Sequence, residues 1–415
     1  MKPMLGEFVH RFFVTLMHLE RRTEPFWRPY ANALFREPIA RGLEALINLR
    51  RPDDGLGLAE EKRMPGEEEA LDKIIRDMGA YMLRKYRPGE FQRVGNTKTH
   101  GLVRAELTVR DDLPAELRHG LFREPRTFQA WVRFSGPGPD SPADIDDVGF
   151  LSMSVKVMGV PGPKLSEDER QTQDFLAVCT PTFVSPHVVA NSQLHEQSFR
   201  LTPLYYFFDP RHPHLLDFLM QALWNETQTS PLECQYYSCV PFLLGQGRAM
   251  KFSMRPRSRA RSPIPNLPGR PNDHYLRENM AATLQRRDAV FDFLIQVQTH
   301  PHAMPIEHAG VRWPERLSPY VPAATIRIPK QRFDSPAQLR FVERLRFTPW
   351  HCIPEHRPLG NQNRARRRMY EELSRLRFTK NALPHYEPTS HEIPAEPSTG
   401  PEPMEAPQPA LLSSA

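Results

Sequence analysis

The stretch Asn363–Arg377, NRARRRMYEELSRLR, holds no glycine or proline and is dense in good helix formers, so a helix is expected there. Arg366 and Tyr370 are four residues apart, on one face and one turn from each other. A guanidinium beside a phenol favours the phenolate, because opposite charge lowers the phenol pKa. A phenolate is an anionic oxygen ligand that ferric iron accepts. Arg377 lies two turns beyond Tyr370 on roughly the same side, where it can meet an anionic group. Alone, the stretch also reads as a solvated basic helix with a half-buried tyrosine. Agreement from other stretches decides between the two.

Upstream the texture is strand. Leu102–Val109 (LVRAELTV) alternates and ends at the turn-like DDLP. Thr127–Ser135 (TFQAWVRFS) follows, then the loop GPGPDSPADIDD, then Val148–Val160 and the short Phe175–Val178. Ala249–Met254, Val290–Gln298 and Ala324–Ile328 continue the series, with helical segments at Asn191–Phe199 and His214–Thr227 between them. Many period-two strands with turn punctuation point to an antiparallel barrel, with helices at the C-terminal end of an α+β domain.

The N-terminal part is helical in pattern. Leu5–Leu19 places Phe8, Phe12, Phe13, Leu16 and Leu19 at helical spacing, and Tyr30–Leu49 reads as a second helix broken or kinked at Pro38. Asp53–Pro65 is polar and reads as loop, and Glu67–Tyr86 is a third helix with Leu71, Ile74, Ile75, Met78, Met82 and Leu83 on its apolar face. Residues 1–87 are thus an arm that packs on the main domain or on a partner subunit, with weak contact between helix 5–19 and a membrane surface as the alternative. The main domain is expected over 88–388. The Pro-, Glu-, Ser- and Ala-rich segment 389–415 is expected to be a disordered tail.

Composition narrows the partners. The net charge of +6 over 415 residues is only mildly basic, with one dense cluster at Arg364–Arg368, and does not argue for nucleic acid. Anionic cofactor groups or a membrane surface suit it equally. Cys179, Cys234, Cys239 and Cys352 form no C-x-x-C pair and no zinc spacing, which fits free buried thiols in a reducing cytoplasm. No run reaches the 18 or so apolar residues of a membrane span. His10 and Arg11 interrupt what would be a signal-peptide core. Neither G-x-S-x-G, G-x-G-x-x-G nor a P-loop occurs.

The order Arg93–Lys98 (RVGNTK), Trp131–Ser135 (WVRFS), Asp174–Phe183 (DFLAVCTPTF), Phe333–Pro349 and then Arg366–Arg377 resembles the haem catalase family. The resemblance is closest to the family's small, divergent catalase-like haem-binding branch and covers roughly residues 88–385. It implies an eight-stranded antiparallel β-barrel with surrounding helices and a haem b (iron protoporphyrin IX) cofactor. It also puts Tyr370 on the iron as metal ligand, with Arg366 as its arginine partner. Arg93, Arg133 and Arg377 fall on the arginines that clamp the haem propionates. Two carboxylates in a largely apolar cavity need charge-assisted and preferably bidentate partners, which arginine supplies. Ser135 falls on the serine that supports the distal histidine, and Phe183 on a ring that packs against the porphyrin.

The departures from the family pattern concern catalysis. The distal histidine position holds Asn96, with His100 four residues later, and the distal asparagine position holds Val178, with Cys179 next to it. Rapid peroxide dismutation needs a base that takes a proton and returns it, which histidine does near neutral pH and asparagine does not. Weak dismutation of hydrogen peroxide, or slow processing of organic or lipid hydroperoxides, is therefore expected. If the loop instead turns His100 toward the iron, acid–base chemistry returns. The rival readings are a non-enzymatic haem-binding sensor and a haem-free structural relic of the fold. The family tendency to assemble implies a homo-oligomer, cytoplasmic or peripheral to a membrane.

Overall fold

The computed structural model describes residues 2–147, 149–200, 204–209 and 212–394. The chain begins with the long helix α1 (Lys2–Ala31). Pro38 lacks the N–H that would bond the Leu34 carbonyl, and the chain passes through a π-helical turn, Asn32–Arg36, before it resumes as α2 (Glu37–Arg50) with Pro38 in the first turn. Helix α3 spans Glu67–Lys85, with three glutamates in its first turn and Arg84 and Lys85 in its last, as the helix dipole favours.

The strands follow as β1 (Thr99–Val109), β2 (Thr127–Ser135), β3 (Ser152–Val157) and β4 (Gln173–Val178). Gly149 and Gly159, both with left-handed φ of 74° and 69°, flank β3 and make it shorter than the expected strand 148–160. Helices α4 (Val188–Arg200), α5 (Leu204–Phe208) and α6 (Leu215–Ala222) intervene. Next come two-residue strands β5 (Tyr236–Tyr237) and β6 (Phe242–Leu243), then β7 (Ala249–Pro256), α7 (Tyr275–Arg286), β8 (Ala289–Val297) and β9 (Val321–Ile328). Helices α8 (Pro336–Arg344) and α9 (Asn361–Lys380) close the domain.

All pairings are antiparallel, and they close. The circuit runs β1–β2–β3–β4–β5–β7–β8–β9 and back to β1, an eight-stranded barrel with β6 as a hairpin on β7. Strand β5 joins β4 at one register position, Val178 opposite Tyr237, and β7 at two. Side chains fill the interior. Val103, Phe134, Phe175, Phe252, Phe291 and Phe293 meet there with ring centroids 4.9–6.4 Å apart where they pair. The expected α+β barrel with surrounding helices is the observed fold.

Outside the barrel, α8 covers Leu102 and Trp131 through Phe341 and Val342. The start of the expected tail lies on this same face. Trp131 Nε1 donates to the Ser390 carbonyl at 3.1 Å, and His391 Nε2 donates to the Ala130 carbonyl at 2.9 Å. The rest of that segment, 395–415, lies outside the described residues. The N-terminal helices pack on the domain itself. Glu37 and Glu44 of α2 hold Arg312 at 2.9 and 2.5 Å, and Arg36 pairs with Glu226 at 2.6 Å.

Candidate cofactor site

Four elements bring three arginines to one carboxylate. Arg93 precedes β1, Arg133 lies on β2, Arg377 is in the last turns of α9, and Glu343 is on α8. Arg93 Nη1 donates to Glu343 Oε2 at 2.6 Å, and its Nη2 donates to the carbonyls of Val342 and Leu345 at 2.6 and 2.8 Å. Arg377 Nη1 reaches the Glu343 carbonyl at 2.5 Å and its Oε2 at 3.3 Å. Arg133 approaches from below. Its Nε and Nη2 donate to Thr99 Oγ1, its Nη1 to Ser135 Oγ at 3.0 Å and its Nη2 to the Asn96 carbonyl at 2.6 Å.

The electrostatics follow from this crowding. Burial, then the charge of Arg93, lowers the pKa of Arg377 to about 9, with Glu343 opposing. Arg133, 3% exposed, is pushed well below its ordinary value by burial and then by Arg93. Desolvation works against ionisation of Glu343, yet Arg93, Arg377 and Arg133 hold its carboxyl below the usual carboxylate range. The group carries three positive charges and one negative, an excess suited to a further dianionic partner. Glu343 keeps 35% of its side chain exposed, so the cluster is open to solvent on one side.

Tyr370 is half-buried on α9 and packs in an apolar cluster with Val94, Ile75 and Leu373, beside Leu71 and Ile74 of α3. Val94, which packs against the same apolar cluster as Tyr370, is the residue after Arg93. Arg366 does not pair with the phenol as expected. Among the described residues no hydrogen bond joins them. Its Nη1 donates to Asn363 Oδ1 at 3.1 Å, and its guanidinium lies 5.2 Å from the centroid of the Phe183 ring. That cation–π contact occupies a face of Phe183, the ring expected to pack on a porphyrin.

On the opposite side of that turn, Gly95 and Asn96 both adopt left-handed backbone, with φ of 91° and 54°. Asparagine tolerates this conformation better than most residues. Asn96 Oδ1 accepts from Ser152 Oγ at 2.6 Å. Ser152 pairs with Ser135 across β2–β3 and with Val178 across β3–β4. Asn96, Ser135 and Val178 are therefore gathered at one end of the barrel. Ser135 Oγ accepts from Arg133 there.

His100 is buried beside Asp144. It is 1% exposed, its Nδ1 is 3.7 Å from Asp144 Oδ1, and Asp144 is held by Lys98 at 2.6 Å. Among the described residues His100 Nε2 has no hydrogen-bond partner. Burial, reinforced by Lys98, Arg277 and Arg133, holds the ring well below its ordinary pKa and therefore neutral. The four cysteines are buried and unpaired.

Two features escaped the sequence reading. Glu343 is one, an acid in an ordinary helix with no local signal. The other is a fully buried ionic cluster. Lys156 of β3 contacts Glu169 Oε2, Asp174 Oδ1 at 2.8 Å and His351 Nδ1 at 3.2 Å. Glu169, Asp174 and His351 place donor atoms close enough together to hold a metal ion, but the Lys156 ammonium already supplies the cation among them. A lysine in the middle of the apolar run SMSVKV was the available signal.

A closed antiparallel barrel, with α8 and α9 bringing basic side chains to its strand ends, is a catalase-like fold. Comparison with solved structures agrees. A fungal catalase shares 16% identity over 79% of this chain and 66% of its own, with a TM-score of 0.56. A bacterial catalase shares 14% identity over 84% and 71%, with a TM-score of 0.51. Catalase A from Saccharomyces cerevisiae shares 14% over 79% and 69%, with a TM-score of 0.54. The chain spans about two thirds of the length of these enzymes. No family profile and no curated protein matches the sequence. At such identities the likeness is one of fold, in a far-diverged chain.

Proposed function

We propose that this chain binds haem b, with Tyr370 on the iron and Arg93, Arg133 and Arg377 on the propionates, and that its action on peroxides is slow. The convergence of the three guanidinium groups carries the reading. Their excess charge matches two carboxylates, and the cluster already takes one carboxylate from Glu343. Tyr370, a side chain that can ligate as an anion, lies on the same helix as Arg377, and packs against the same apolar cluster as Val94, the neighbour of Arg93. These donor types are the ones the group calls for, which supports the reading.

When bound, haem supplies redox chemistry at iron toward hydrogen peroxide or organic and lipid hydroperoxides. Asn96, its amide oxygen fixed by Ser152, can orient an oxygen-containing ligand by hydrogen bonding but moves no proton. Val178 offers no polar group. His100 lies beside Asp144 and its depressed pKa makes it a weak proton acceptor, so it is a poor replacement for the missing base. Rapid dismutation then lacks its proton carrier. In this reading the protein is a cytoplasmic homo-oligomer whose N-terminal helices can touch a membrane surface.

Titration of the purified protein with hemin tests the proposal. A Soret band should grow to a one-to-one end point, change in Tyr370→Phe and weaken in Arg133→Met. Oxygen evolution from peroxide should be far below that of catalases and should rise in Asn96→His. Absence of a hemin-dependent spectrum, or oxygen evolution at catalase rates in the unmodified protein, would overturn it. One observation favours a second reading, a haem-free role: Glu343 partly neutralises the arginines from within the chain. A colourless protein indifferent to hemin would select that reading. Haem binding and cyanide shifts without peroxidase signal would select a sensor.

A further inference from the structure

We propose that the outward face of α1, the π turn and α2 docks on the surface of a bilayer rich in anionic lipids. Of the fifteen large apolar side chains exposed among the described residues, ten lie between Phe12 and Leu49. The densest part is Phe26, Trp27, Tyr30, Leu34, Phe35 and Ile39, between 44% and 75% exposed. Isolated exposed apolar residues are ordinary, whereas a contiguous stripe of this kind marks a binding surface.

The inner face fixes which way the stripe points. Ala40 and Ile47 pack against Met220, Trp224 and Val311. Asn32 and Arg36 bond Glu226 at 2.8 and 2.6 Å, and Glu44 holds Arg312 at 2.5 Å. The apolar stripe is therefore presented outward by a held scaffold. Along the described part of these helices the exposed ionic side chains are Arg11, Arg41 and Arg50 against Glu20 and Glu37, of which Glu37 shares Arg312 with Glu44. The face is apolar, aromatic and net cationic.

That chemistry selects the occupant. Trp, Tyr and Phe settle at the headgroup level of a bilayer, with an apolar body and, for Trp and Tyr, a polar tip. Exposed arginines add attraction to anionic lipid. A second copy meeting this face about a twofold axis would set like charges against like, which disfavours self-pairing. No described helix is long and apolar enough to cross a membrane, so the contact lies along the surface.

Flotation of the full-length protein with vesicles tests this, comparing pure phosphatidylcholine with equal parts phosphatidylcholine and phosphatidylglycerol. Binding should favour the anionic vesicles by at least tenfold and weaken with added salt. Trp27 is the exposed tryptophan, the other four being at most 7% exposed. Vesicles should therefore shift tryptophan emission to the blue, and Trp27→Phe should abolish that shift. The triple variant Phe26→Ser, Tyr30→Ser, Leu34→Ser should lose at least tenfold in partitioning with an unchanged thermal midpoint. Arg41→Glu with Arg50→Glu should lose about tenfold on anionic vesicles alone. The proposal is overturned if the protein ignores both vesicles, or if the variants bind like the parent. It is equally overturned if sedimentation shows an oligomer that the triple variant dissolves, since copies of the chain would then cover the face.

Discussion

Replacing Lys156 with methionine takes one cation out of a cluster that is closed to solvent. Lys156, Glu169, Asp174 and His351 have at most 2% of their surface exposed. Desolvation pulls the His351 pKa down, but Glu169 and Asp174 outweigh it and raise the value to about 10. At neutral pH the four groups therefore balance, two positive against two negative. Without the ammonium, Glu169 and Asp174 share the buried His351, which also meets Asp168, and Glu169 keeps the part-exposed His385. At an effective dielectric near 20, each contact of about 3 Å is worth roughly 6 kcal/mol of attraction, which offsets the burial of the charges. Removing one partner of a buried pair costs about 3–5 kcal/mol, and that is the expected loss in Lys156→Met. Urea unfolding followed by far-ultraviolet circular dichroism measures it. The double variant Lys156→Met, Glu169→Gln removes one charge of each sign and should recover more than half of the loss. A single-variant loss below about 1 kcal/mol, or a double variant no better than the single, would refute the reasoning. Asp174 Oδ2 also accepts from the Thr348 amide at 3.0 Å, and the Asp174 amide donates to the His351 carbonyl at 2.8 Å. The cluster thus anchors the segment leading into α9, and hemin binding should fall with stability.

His351 has a pH signature of its own. Because its folded pKa of about 10 lies above the ordinary value near 6.5, its contribution is complete below about pH 6.5 and is lost as pH rises toward 10. The difference in unfolding free energy between the parent and His351→Asn should shrink across that window, and a flat difference would count against a charged His351. Glu343→Gln removes the internal competitor for the three arginines, so hemin affinity should rise by roughly tenfold in a Soret titration. A weaker affinity would mean that Glu343 positions the arginines and does not compete.

The long elements were legible because their periodicity is their own. Thr127–Ser135 was read to the residue, and β1, β7, β8 and β9 to within a few positions. The two-residue strands β5 and β6 were not, since pairing partners far along the chain create them and no pattern of their own does. The arginine cluster was legible as a set of types in order. Its carboxylate was not, because Glu343 resembles any surface acid until α8 is folded over the strand ends. The Arg366–Tyr370 pairing failed for a related reason. Spacing on a helix permits a contact, but the Phe183 ring, contributed from the far side of the fold, competes for the same guanidinium. His100 lies only four residues from Asn96, past two left-handed residues and an irregularity at the start of β1, and the two meet different partners, Asp144 and Ser152.

The barrel is sewn shut at one thin seam. Barrel strands other than β5 share four to nine register positions with their neighbours, whereas β5 meets β7 at two and β4 at the single pair Val178 and Tyr237. Thermal breathing will concentrate where the stitching is sparsest, and amide exchange there should outrun the rest of the wall. The loosened edge is the one beside Ser152 and Asn96, so the same weakness that costs rigidity leaves a doorway next to the residues proposed to meet a peroxide.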